Sequence, residues 1–369
     1  MIKNFSLSLI FVLAAATLLT GAGCVLFGQT SAGPVGMYRS SDKGETWQQI
    51  VAYPTAKGVQ SLAGLNIFRI YDDPSDPNAM YVGTRGQGLY YTYDNGDSWR
   101  SVSALDGKFI YGLAVDPKNK CIVYVSDGLH IYKTTDCTRS WNLVYTEERP
   151  DQRFVSIAVD YGDSKILYGA QLNGDVIKSI DAGKSWRVIK RFGFTLQYMT
   201  TDPSTPKRIY LASYNSGLYR SDDNGETWNE FVKVFEGFTD SKVFYRLVLN
   251  PSEKDSIFWV SKYGVLKSND AGVTWNVVKL IPPPGSVNIY GFSVSPTNSK
   301  EIYYTATILG DQNKPVRSTF YKTVDAGNSW VTKKLPTNSI PTAIRVHPLQ
   351  TKVLFMGFTS LEKQAQTTF

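Results

Sequence analysis

The sequence predicts an all-β fold, a single β-propeller of seven four-stranded blades, from three observations. An eight-residue phrase, Ser/Thr-x-Asp-x-Gly-x-Ser/Thr-Trp, recurs seven times in 369 residues, its aspartates 42 to 55 residues apart. A period of that size signals one supersecondary unit per copy. Short apolar runs bounded by Asp-Pro-like or Gly turns fill the intervals, which is strand rather than helix patterning. The chain ends carry complementary halves of one unit, so the ring is expected to close on itself and leave no open edges.

The copies are SSDKGETW (Asp42, Trp47), TYDNGDSW (Asp94, Trp99), TTDCTRSW (Asp136, Trp141), SIDAGKSW (Asp181, Trp186), SDDNGETW (Asp223, Trp228), SNDAGVTW (Asp270, Trp275) and TVDAGNSW (Asp325, Trp330). Each letter has a local task. The Asp carboxylate is expected to accept backbone N–H bonds two or three residues on. The Gly takes a positive φ without a Cβ clash. The leading Ser or Thr bonds the loop from the other side. The Trp opens the next strand as a large apolar plug with one N–H to satisfy.

The phrase resembles the Asp box of bacterial neuraminidase-type (BNR) repeat proteins. Those include sialidases, xyloglucanase-like glycosidases, the sortilin domain and photosystem II assembly-factor propellers. The resemblance implies that each box is a structural turn between the third and fourth strands of a blade.

Between boxes the strands follow in order. First strands read FRIYDDP, YGLAVDP, VSIAVDY, QYMTTDP, YRLVLNP, YGFSVSP and AIRVHP. Second strands read MYVGT, CIVYVS, ILYGAQ, IYLAS, IFWVS, IYYTAT and VLFMGF, and third strands run into each box. The chain begins with a third strand and a box (GMYRSSDKGETW, then QQIVAY as fourth strand) and ends with a first and second strand. These halves are expected to pair. The implied boundaries are 1–23 targeting segment, 24–36 linker, 37–360 propeller and 361–369 tail. Alternating strand direction puts the first–second turns and the boxes on one face. The second–third and fourth–first loops then form the opposite mouth, where binding is expected.

Lys3, the apolar run Leu7 to Leu19 and the small residues before Cys24 read as an export signal. They resemble a bacterial lipoprotein signal, which implies lipidation of Cys24, membrane attachment and an extracytoplasmic location. Gly21 stands where that pattern usually has Leu, so ordinary cleavage after Ala22 or an uncleaved anchor stay open. Cys121 and Cys137 fall at the same end of adjacent strands, and export permits a disulfide between them. The third box, which holds Cys137, has Thr138 in place of Gly. A net charge of +7 is dispersed along the sequence, so no nucleic acid partner is expected.

No enzymatic constellation stands out. Phe68-Arg69-Ile70 resembles the start of a sialidase Phe/Tyr-Arg-Ile-Pro element, but Tyr71 replaces the Pro, and Arg69 shares its repeat column with Arg246. The resemblance to xyloglucanase-like glycosidases implies a carboxylate pair in a cleft between two propellers, and only one propeller is read here. The weak catalytic candidates are Glu147 and Asp151 in one mouth loop and Glu236 and Asp240 in another. Asp73, Asp116, Asp160 and Asp202 form a column on the box face, where they read as turn residues. His130 and His347 lack metal-ligand spacing, and no cofactor or metal is expected.

The mouth carries cations with aromatics: Arg69, Arg85, Arg153, Arg191, Tyr198, Tyr245, Arg246, Lys262 and Tyr290. Arginine with aromatics is the composition of protein-binding hot spots and of carboxylate or sugar recognition. The expectation is a monomeric, membrane-tethered module that binds an envelope protein or glycan, the alternative being a glycoside hydrolase.

Overall fold

The computed structural model describes residues 34–310 and 315–360. Cys24, the leader and the tail at 361–369 lie outside the described residues. Seven four-stranded antiparallel sheets make the ring. Blades one to six occupy residues 67–101, 112–146, 154–191, 196–230, 244–278 and 288–334. Blade seven joins the ends: Ile340–Val346 and Leu354–Thr359 supply its first and second strands, Gly36–Ser40 and Gln48–Gln49 its third and fourth. Closure is continuous pairing, from Gly36 opposite Phe358 to Ser40 opposite Leu354. The ring strand thus starts at Gly36, one residue before the boundary read from sequence.

The second strands read as unbroken apolar runs because blades cover both of their faces. Met80–Thr84, Leu167–Gln171, Ile209–Ser213 and Ile257–Ser261 are buried along their whole length. Fourth strands form the rim and are largely exposed, as in Arg187–Arg191. The core lies between neighbouring blades; Tyr210 and Leu218 of blade four pack with Phe244, Leu247 and Trp259 of blade five. Trp259, the tryptophan outside the repeat, is fully buried and donates Nε1–H to the Ser241 carbonyl at 2.7 Å.

The boxes lie between third and fourth strands and are built alike. The leading hydroxyl accepts the N–H of the residue at the Gly position at 2.8–3.1 Å. The carboxylate reaches further forward than the sequence suggested. One oxygen accepts the N–H four residues on at 2.8–2.9 Å. The other accepts that residue's hydroxyl at 2.5–2.6 Å. The residue after each Asp sits at φ 57–64° and donates its N–H to a carbonyl in the blade's own first–second turn or at the start of its second strand at 2.7–3.2 Å. The boxes and these turns therefore share a face.

Three departures from the sequence reading are local. QQIVAY splits: Gln48–Gln49 is the fourth strand, and Ala52–Thr55 folds with Gly58–Ser61 into a separate hairpin. Two single 3-10 turns, Ser103–Leu105 and Lys233–Phe235, lie in fourth–first loops. Blade six has elongated second and third strands, Asn298–Leu309 and Pro315–Thr323. Cys121 and Cys137 form a disulfide, as expected, beside a hydrogen bond from the Cys137 N–H to the Cys121 carbonyl.

Two expected outcomes follow from the boxes. The seventh-position hydroxyl above all, then the remaining box hydrogen bonds, hold Asp42, Asp136, Asp181 and Asp325 down at about 2. An unfolded Asp titrates near ~3.9, so this stabilisation is fully present above about pH 4 and is lost as pH falls toward about 2. The urea midpoint should drop across that window; a flat midpoint would contradict the box geometry. The other outcome concerns Thr138, a β-branched residue held at φ 70° where six boxes place Gly. Thr138→Gly should raise stability by about 1 kcal/mol in urea unfolding, by relieving left-handed strain.

Candidate binding site at the propeller mouth

First strands line the central channel, and six of the seven carry a register shift near the mouth, for example between Ile67 and Arg69 and between Phe244 and Arg246. Such bulges re-aim side chains. Simple alternation sends neighbouring residues to opposite faces, yet Phe68 with Arg69, and Tyr245 with Arg246, line one cavity. The third residue of the first strand is Arg69 in blade one, Tyr198 in blade four, Arg246 in blade five, Tyr290 in blade six and Thr342 in blade seven. All of these line the same cavity of about 210 Å³.

Its electrostatics are one-sided. Arg69, Arg85 and Arg246 line it, and among the described residues the lining contains no Asp or Glu. Burial, then the charge of Arg69, hold the Arg246 guanidinium down at about 10. Burial likewise lowers Arg85, with Tyr290 opposing and Arg69 adding to the shift. Arg85 Nε–H is buried without a hydrogen-bond partner among the described residues. The Arg69 guanidinium lies over Phe68 at 4.9 Å and, across the ring, over Tyr198 at 5.1 Å. Arg246 differs: its Nε and Nη2 donate to the carbonyls of Tyr290 and Thr342, joining three blades. The Tyr245 hydroxyl donates to Asn288 Oδ1 at 2.6 Å. Tyr71 is pushed up to about 12 by burial. Below the Arg69–Tyr198 contact a second cavity of about 220 Å³ continues toward the box face, reaching Asp72 and Tyr161.

Six of the nine binding candidates thus converge: Arg69, Arg85, Tyr198, Tyr245, Arg246 and Tyr290. Tyr290 occupies the Tyr198 position, whereas Tyr245 sits one residue earlier, in a bulge. Arg153 stays on the rim, within 3.4 Å of the Tyr111 hydroxyl. From there Tyr111 stacks on Phe109 at 4.3 Å, and Phe109 meets Phe68 at 4.9 Å. Arg191 and Lys262 are outside the lining. Arg191 ends a fourth strand, on the outside of the ring, where it is exposed and pairs with Asp175 at 3.7 Å. Sequence reasoning missed Phe68, Tyr71 and Thr342 as lining residues. Repeat columns identify the Thr342 position, but the bulge that turns Phe68 inward leaves no composition signal.

The carboxylate candidates do not assemble. Buried Glu147 is gripped by Arg149 at 2.8 Å and by Gln171 at 2.6 Å, and Arg149 above all holds its carboxyl down at about 2. A glycosidase acid needs the opposite shift. Asp151, Glu236 and Asp240 are exposed loop residues, and none of the four lines the mouth cavity. Asp73, Asp116, Asp160 and Asp202 are buried and accept backbone N–H bonds within their turns at 2.8–2.9 Å, on the box face.

The chain is a β-propeller carrying BNR/Asp-box repeats. Residues 36–146 match the family described as Sortilin, neurotensin receptor 3 (Sortilin-Vps10), and residues 219–230 match the BNR/Asp-box repeat family. It is 28% identical over 289 residues to a probable oligoxyloglucan-reducing end-specific xyloglucanase of Neosartorya fischeri, covering 69% of this chain and 32% of that protein. It is 26% identical over 237 residues to xyloglucanase Xgh74A of Acetivibrio thermocellus, covering 52% and 28%. The matched stretch therefore spans less than a third of the length of these curated relatives. Among solved structures, a GH74 enzyme of Niastella koreensis superposes with a TM-score of 0.63 at 19% identity, covering 80% of this chain and 51% of that one. YCF48 bound to D1 peptide superposes with a TM-score of 0.58 at 14% identity, covering 81% and 94%. At these identities the structural likenesses establish the fold.

The two inner arginines should separate in stability measurements. Arg246→Met leaves the Tyr290 and Thr342 carbonyls unpaired and should cost about 2–3 kcal/mol in urea unfolding. Arg69→Met removes a charge set among the Phe68 and Tyr198 rings, the Tyr71 hydroxyl and another arginine, and should stay within about 1 kcal/mol of the wild type or exceed it.

Proposed function

We propose that this propeller is a binding module that holds an oxyanion-bearing segment of an envelope protein or glycan in its mouth cavity. The observation that carries the reading is the convergence of Arg69, Arg85 and Arg246 on a cavity whose lining has no carboxylate among the described residues. Neighbouring cations taken out of water destabilise one another, and a ligand carboxylate, sulfate or phosphate offsets that repulsion. Guanidinium forks match such groups with paired hydrogen bonds. Phe68, Tyr198, Tyr245 and Tyr290 add flat faces suited to a sugar ring or an aromatic side chain. The Cys121–Cys137 disulfide supports an oxidising compartment. Export, a lipid anchor on Cys24 and a monomeric state are part of the same proposal.

A second reading, glycoside hydrolysis, is favoured by the relatives, which are named xyloglucanases; the comparisons support it more directly than they support binding. The scattered carboxylates and the ion-paired state of Glu147 speak against it. One pair of assays separates the two. Calorimetric titration with oligogalacturonides and with peptides bearing free or amidated C-termini is run beside an assay for reducing ends released from xyloglucan. Acidic ligands should bind in a salt-sensitive manner and lose about tenfold or more in affinity in Arg69→Met, the loss expected of one charged hydrogen bond. Acidic ligands that bind Arg69→Met as tightly as wild type would overturn the reading. So would reducing-end release that is lost in Glu147→Gln or Asp240→Asn.

A further inference from the structure

Blade six carries a stretch of sheet edge on which no other strand among the described residues pairs. Its fourth strand, Val331–Lys334, pairs with Thr319–Lys322 and stops there. The third strand extends beyond that cover, with Arg317 opposite Ile308 and Ser318 opposite Thr307 on its inner side only. Third strands elsewhere in the ring are four or five residues long. Along the outer side of the overhang runs a groove of about 400 Å³, with Val316, Arg317 and Ser318 as one wall and Lys334, Leu335 and Thr337 as the other. Val316 is 69% exposed. Arg317 and Lys334 are exposed, and the groove's lining holds no acidic residue among the described residues. The neighbouring Lys333 is paired with Glu45 at 2.6 Å.

We propose that this edge takes an extended acidic peptide of a partner protein as an added strand of blade six. An uncovered strand edge supplies a row of backbone donors and acceptors, and alternate side chains of an added strand fall into the groove beside it. Residues 316 to 318 cover about 10 Å at ~3.3 Å per residue, enough for a strand of about three residues. Pro315 begins the strand and has no N–H to give, so pairing starts after it. Charge selects the occupant. A second copy of this chain paired edge to edge would bring Arg317 and Lys334 against their own equivalents, whereas glutamates on a foreign strand neutralise both. The site is separate from the mouth arginines and does not rest on the anion-binding proposal.

The test uses a fluorescein-labelled peptide of alternating glutamate and valine, together with the same peptide N-methylated along its backbone. Both are titrated by anisotropy against the full propeller. The unmodified peptide should bind, weaken with salt and slow amide exchange at residues 316–318. It should lose about fivefold or more in affinity in the Arg317→Glu/Lys334→Glu variant, as two exposed charge pairs allow. The variant's fold is checked by circular dichroism. The share of peptide held at the mouth is lost in Arg69→Met, so the binding that persists in that variant reports the edge, and failure here is distinguishable from failure at the mouth. Equal binding of the N-methylated peptide would reduce the contact to charge alone and sink the proposal. Binding indifferent to the charge reversal, unaltered exchange at 316–318, or no binding at all would do the same.

Discussion

Seven aspartates clamp the blades of this ring, each by the same few bonds within its own blade. The leading hydroxyl closes the turn on itself, the carboxylate reaches four residues forward, and the residue between Asp and Gly ties the loop to the first–second turn of its blade. Every blade therefore has its outer and inner hairpins clamped at one face. The other face carries no such recurring clamp and is free to vary. The hairpin at 52–61, the 3-10 turns and the overhanging strands of blade six all belong to it. Structural uniformity on one side permits chemical variety on the other.

Much of this was legible in the residues. The period, the strand runs and the mismatched ends specify seven blades and their closure, and the shared end of adjacent strands brings Cys121 to Cys137. Other features were hidden for physical reasons. The residue after each Asp adopts a left-handed conformation even where it is alanine, as at Ala182, Ala271 and Ala326. There the tie to the neighbouring turn outweighs local preference. QQIVAY reads as one strand, yet its second half leaves the blade to build a hairpin, since apolar alternation does not say which neighbour a strand will take.

The mouth shows the same division. Repeat columns align Arg69 with Arg246, and the structure puts both in one cavity. What columns cannot convey is that a bulge precedes each, turning two consecutive residues inward. Arg191, chosen from sequence for its aromatic neighbours, ends a fourth strand and so faces away from the channel. Position within the blade, rather than local composition, decides which cations gather. The three that do gather are held among tyrosines and backbone carbonyls, without a carboxylate in the lining among the described residues. Arg246 and Arg85 are thereby less basic than free arginine.

That unbalanced charge is the centre of the functional account, and it is open to direct observation. Crystals of the propeller soaked in selenate and measured at the selenium edge would locate bound oxyanions by anomalous scattering. The account predicts a peak in the mouth cavity, within hydrogen-bond reach of Arg69, Arg85 or Arg246, that is absent from crystals of the Arg69→Met variant. Selenate bound only at the outer surface, with the mouth cavity free of anomalous signal, would contradict it.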